Sequence, residues 1–300
     1  MTIREIFELP PSEISQEVML ELALRASGSI WKTGKGAEFF KNKGECRENW
    51  EQAVEKHFAN ADHGQAHGRN VALRALYYLA KSPNMSDCHD RHFGGGALQN
   101  NIVTAASIFH DFGRSMGFST ADHEEPSAWI AFHAYDGLPV IVREQIFNCI
   151  RRHDYFCPIV DGTPMPDVFD NPLAEIVRLA DKTSVAPDLE VRRWWDCGKE
   201  YGTNFFDRSI SDDVRFDLQH NYPKRDQLTY LLMIFALQPR DFLYAEAAEH
   251  YRCWAKRKDD AVREIFLILR ELSCVAMDVA LVRDVLRRFQ ERFKLEMPAF

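Results

Sequence analysis

Apolar residues along this chain recur three and four positions apart, and that spacing predicts helices over 18–24, 71–79, 102–109, 128–134, 142–150, 173–179, 228–237 and 262–289. Alternating strand-like patterns bounded by turns are rare, so the expected fold class is all-α. Three stretches interrupt the periodicity and read as loops: 82–101, with Gly94, Gly95 and Gly96; 112–126; and 155–172, with four prolines. No internal repeat is present.

Length and composition narrow the class. A chain of 300 residues exceeds what one small core needs. Hydrophobic residues at 46% and charged residues at 27% are ordinary for a globular protein and argue against long disorder. The longest apolar run, 230–237, is far short of the ~20 residues a spanning helix requires, so no membrane association is expected. The opening MTIREIFELPPSE carries acidic residues and prolines where a secretory signal needs a basic start and an apolar stretch, which predicts a cytoplasmic protein. The seven cysteines, at 46, 88, 149, 157, 197, 253 and 274, form no C-x-x-C pair and are expected to be reduced, mostly buried thiols. A net charge of −8 disfavours binding to nucleic acid polymers, which attract basic surfaces, but leaves room for a small anion in a locally positive pocket.

Candidate chemistry enters with the histidines. In HGQAHGRNVALRALYYLA, His63 and His67 are one turn apart and are expected to project from one face of a helix. The apolar run NIVTAASIFHDFGR ends in His110 and Asp111, with Gly113 as a natural helix stop. Adjacent helical residues point about 100° apart, so one ion can use both only at a helix end or with bent geometry. In LAEIVRLADKTS, Asp181 lies on the polar face of a helix whose other face is Ile176, Val177, Leu179 and Ala180. Neutral imidazole and carboxylate are ligands suited to Fe, Mn, Co, Zn or Mg, and helices converging on one point commonly build such sites. One histidine among eleven carries little weight; the ordered set carries more.

H-x-x-x-V opening a helix, an apolar helix ending H-D-F-G-R, and a later L-A-D-K helix resemble the HD-domain superfamily of metal-dependent phosphohydrolases over about residues 55–185. The resemblance implies an HD-domain-like helical bundle in which His67, His110, Asp111 and Asp181 are metal ligands. His123, opening HEEPSAWIAF, is similar to the H-x-x-x-[GS]-A helix start of family members with two metals, and His153 in IFNCIRRHDYF to their I-x-x-H segment. Asp111 would then bridge two ions, with His67, His110 and Asp181 on one and His123 and His153 on the other. The order H, HD, H, H, D resembles the family's dinuclear hydrolases of dinucleoside polyphosphates. Its cyclic-dinucleotide branch is unlike this chain, which has Arg152 before His153 and Asp161-Gly162-Thr163-Pro164 after it.

The implied function is hydrolysis of an ester or anhydride in a small phosphorylated molecule, a nucleotide or dinucleotide, by metal-activated water. The implied cofactor is a divalent transition metal, two ions of Fe or Mn, with Zn, Co, Ni or the non-transition ion Mg as alternatives. Besides Asp111, the catalytic candidates are Arg114 and Lys182, each beside a ligand and suited to phosphate oxygens, and His63, suited to contact substrate or donate a proton to the leaving group. A mixed-valent di-iron oxygenase of the HD type would use the same six ligands. A non-enzymatic ligand-sensing module would have no need to keep them all. The interval between His67 and His110 includes CHDRHFGGG, with His89 and His92, and is expected to be a Gly-rich loop able to act as a lid. The motifs end near Ser184. The expected organisation is an N-terminal helical segment over 1–54, the metal-binding catalytic core over 55–189, and a helical extension over 190–300 packed on the core. A homodimer is left open.

Overall fold

The computed structural model describes residues 1–32, 37–40, 50–60, 63–80, 96–118, 123–153 and 171–184, with isolated positions from 189 onward. The expectations for the lid with His89 and His92 and for the helices of the 190–300 extension fall outside the described residues. The chain divides into two compact units, one of Met1–Tyr155 with Pro166–Ser184, the other of Phe156–Met165 with Val185–Phe300.

The described part of the first unit is all-α, without a strand. Its helices are α1 (Ile3–Phe7), α2 (Gln16–Ile30), α3 (Trp50–Ala59), α4 (Gln65–Ala80), α5 (Gly96–Phe109), α6 (Phe112–Ser115), α7 (Glu124–Ala134), α8 (Val140–Arg151) and α9 (Pro172–Lys182). Local sequence explains their ends. Thr2 and Glu5 form a reciprocal capping box on α1, and the Ser15 hydroxyl accepts from Val18 N–H at the start of α2. Asn171 caps α9 by accepting from the N–H groups of Leu173 and Ala174, while Pro172 takes the first helical position, where no N–H is needed.

Helix α5 is the centre of the bundle, packed against α4, α7, α8 and α9. Every residue from 102 to 109 is buried, as expected of a helix that is apolar all round. Helices α2 and α3 cover the other side, α2 against α7 and α3 against α6.

The segment 112–126 departs from its reading as a loop, since it contains α6 and the first turn of α7. Pro126 belongs to the opening turn of α7, where a missing N–H costs nothing. Gly113 is likewise no helix stop. It lies inside α6, and a Cβ there would come within 2.5 Å of the His123 carbonyl oxygen, so glycine serves close approach of two backbones.

Candidate metal centre

The chain breaks between α5 and α6 at the residues that carry the chemistry. His110 and Asp111 follow the last residue of α5, and Asp111, with φ −103° and ψ 4°, is the N-cap of α6. The break lets two adjacent side chains face one point, which an unbroken helix would prevent. His67 comes from the first turn of α4, His123 from the N-cap of α7, His153 from just past α8, and Asp181 from the last turn of α9. His63 precedes α4 rather than sharing its face with His67, yet the two rings remain 5.9 Å apart.

The six residues expected as ligands meet in one buried cluster. Asp111 presents its two oxygens to different partners. Its Oδ2 lies 2.8 Å from His63 Nδ1, 3.3 Å from His110 Nε2 and 3.8 Å from His67 Nε2. Its Oδ1 lies 2.8 Å from Arg114 Nε, 2.9 Å from His123 Nε2 and 3.8 Å from His153 Nε2. Asp181 Oδ1 faces His67 Nε2 at 3.0 Å and His110 Nε2 at 3.4 Å, while its Oδ2 accepts from Lys182 Nζ at 3.0 Å. His123 Nε2 and His153 Nε2 are 3.2 Å apart. Three overlapping sets each bring ligand atoms within 4.8 Å of one another: His63, His67 and Asp111; His67, His110 and Asp181; His110, Asp111 and His153.

The donor chemistry fits a metal ion. His110 Nδ1–H donates to the Ser107 carbonyl at 2.6 Å, and His153 Nδ1–H to the Ile150 carbonyl at 2.6 Å. Each bond fixes the tautomer in which the neutral ring turns a bare Nε2 inward, the usual arrangement of metal-ligating histidine. His110 Nε2 is buried and makes no hydrogen bond, although two carboxylates face it. Lone pairs and carboxylate oxygens converging in a buried space repel one another unless a cation or protons lie among them. Among protein groups alone, protons do so. Burial lowers the His110 pKa, but the Asp111 and Asp181 charges outweigh it and push it up to about 10. Burial raises the carboxyl of Asp111, and the neighbouring His110, Arg114 and His63 charges reverse this and hold it well below the usual range. Asp181 follows the same pattern, with Lys182 the strongest of the groups opposing burial.

Supporting contacts come from residues whose types carry no signal in the sequence. The Tyr78 hydroxyl lies 2.6 Å from Thr183 Oγ1, which itself donates to the Leu179 carbonyl at 2.7 Å, tying the end of α9 to α4 beside Asp181. Asn171 Nδ2 donates to Gln145 Oε1 at 3.0 Å and ties the start of α9 to α8. His57 on α3 packs its ring 5.2 Å from that of Phe112 and lies 3.3 Å from Ser115 Oγ, bracing α6. Ser127 accepts from Gly113 N–H at 2.7 Å. Only Ser127 could have been picked out beforehand, from its place in the H-x-x-x-[GS]-A pattern.

Trp129 is half-buried against Phe147 and stacks on His133. No described helix is long and apolar enough to cross a membrane. No family model, curated protein or solved structure matches the chain, so the buried histidine and aspartate cluster, compatible with an HD-like site and able to hold a metal ion, is what its own geometry establishes.

Proposed function

We propose that this chain is a metal-dependent phosphohydrolase of the HD type, acting on a small phosphorylated molecule such as a nucleotide or dinucleotide. The observation that carries the reading is Asp111, whose Oδ2 faces His67 and His110 while its Oδ1 faces His123 and His153. That division supports two ions, one held by His67, His110 and Asp181 and the other by His123 and His153, with Asp111 shared. Divalent ions of the Fe or Mn class would supply Lewis acidity toward phosphoryl oxygens and an activated water.

The remaining roles belong to the chain. Arg114 and Lys182 bring positive charge to the two carboxylates, which favours an anionic substrate in a protein of net charge −8. His63, with 31% of its side chain exposed, is the most accessible of the site imidazoles, which suits contact with substrate and proton donation to the leaving oxygen. The buried ligands exclude bulk water from the reacting centre.

Protein purified with added Fe or Mn is expected to carry about two ions per chain and to release phosphate or a nucleoside monophosphate from at least one member of a panel of nucleotides and dinucleoside polyphosphates. Metal-loaded protein that hydrolyses none of the panel, and whose iron form shows a mixed-valent paramagnetic signal, would instead point to an oxygenase built on the same ligands.

A further inference from the structure

Two ligand-bearing segments are held by close backbone contacts at a glycine, one that excludes any side chain and one that is merely tight. Gly113 N–H donates to Ser127 Oγ at 2.7 Å, and Ser127 N–H donates to the His123 carbonyl at 3.0 Å. A Cβ on Gly113 would come within 2.5 Å of that carbonyl oxygen and 2.9 Å of Ser127 Oγ. Gly113 is two residues beyond Asp111 and the carbonyl belongs to His123, so separating these turns separates His123 Nε2 from Asp111 Oδ1, now 2.9 Å away. The second contact joins α4 to α5. A Cβ on Gly68 would come within 3.1 Å of the Ser107 carbonyl oxygen and 3.3 Å of Ile108 Cα. Gly68 adjoins His67, and the Ser107 carbonyl fixes the His110 tautomer at 2.6 Å.

We propose that these contacts are separate positioning devices: Gly113 with Ser127 sets His123 against Asp111 in the half of the centre that His153 completes, and Gly68 sets His67 and His110 in the half that Asp181 completes. The inference rests on the two-ion reading above and adds which residues govern each ion. The Gly113 contact has no slack, because its nearest neighbour is backbone. The Gly68 contact is only tight, so a small shift of α4 accommodates a methyl group there. Loss of the first device therefore weakens one ion strongly, and loss of the second weakens the other ion mildly.

The test is titration of full-length protein with Mn(II) against a competing chelator, giving ions per chain and two affinities, with paramagnetic resonance reporting whether the ions are coupled. Ser127→Ala is expected to weaken one ion ~10- to 100-fold, to leave the other within about twofold, and to replace the coupled signal by that of isolated Mn(II), while Gly113→Ala, two residues from the shared Asp111, weakens the first ion at least as much. Ser127→Thr, which retains the hydroxyl, restores coupling. In a His123→Ala background, Ser127→Ala leaves the remaining ion unchanged and Gly68→Ala weakens it. Helical circular dichroism is followed throughout, and should Gly113→Ala fail to fold, Ser127→Ala decides. Two ions of unaltered affinity in Ser127→Ala, or further weakening of the remaining ion by Ser127→Ala in the His123→Ala background, overturn the proposal alone. Wild-type protein that never takes more than one ion overturns the two-ion reading and this proposal with it.

Discussion

Asp111 is the residue on which the centre turns, because one carboxylate faces four imidazoles besides His63 and accepts from Arg114. Asp111→Asn keeps its size and removes its charge; metal content is expected to fall to a small fraction of wild type while helical circular dichroism persists. His110 adds a pH dependence. Its pKa of about 10 in the metal-free chain means that a proton occupies the ring at neutral pH, whereas a ligand histidine is neutral. Uptake therefore releases that proton, and apparent affinity should rise about tenfold per pH unit below pH ~10 for each proton displaced. Calorimetry in buffers of different ionisation enthalpy counts the protons; affinity independent of pH from 6 to 9 would contradict the assignment. At this scale the candidate ligands were legible from their order and helical contexts together, not from the His-Asp pair alone, which the chain also contains at 89–90 and 153–154. Tyr78 and Thr183 were not, since nothing in a tyrosine or threonine tells a supporting contact from an ordinary buried hydroxyl.

The helices were legible wherever packing imposes a period of 3.6, as in α4, α5, α8 and α9. They were misread where local chemistry imitates a loop. The stretch 112–126 contains Gly113 and Pro126, yet glycine serves a close approach and proline a first helical turn. Buried histidines on the helices also set a limit of stability. His57 on α3 and His133 on α7 have pKa values lowered to about 4, chiefly by burial, from 6.5. A group whose folded pKa lies below its unfolded value favours the fold fully above pH ~6.5, and that contribution declines as pH falls toward ~4, because the unfolded chain takes up the proton first. Chelator-treated protein should thus lose thermal stability between pH 6.5 and 4. His133→Gln, which keeps a polar partner near Ser29, 3.1 Å from the ring, should flatten part of that acid limb. A melting curve series that keeps its full slope in this variant would assign the effect to other groups.

Across the molecule, the candidate ligands and His63 are gathered from distant parts of the chain: His63 and Asp111 are 48 positions apart, His123 and His153 are 30, and His67 and Asp181 are 114. An unfolded chain cannot assemble this set, so ions bind the folded state and stabilise it, by about 2.7 kcal/mol at a free concentration 100 times the dissociation constant. Addition of a chelator is expected to lower the melting temperature by several degrees, and Asp111→Asn should no longer respond to it. The second unit takes in Phe156–Met165, which in sequence interrupts the first, as well as Val185–Phe300. A chain ending near Ala186 keeps the interrupting segment without the rest of its unit and is expected to be poorly soluble, as a sedimentation assay would report. The wide spacing of the ligands also bears on time. Ions that need the whole set in place can bind only once these distant contacts have closed, so if the set is incomplete at the folding barrier they slow the escape from the native state more than they hasten its formation. The metal would then govern how long each molecule survives, and digestion by a protease in such excess that cleavage outpaces reclosing should slow on loading, in proportion to the fall in opening rate.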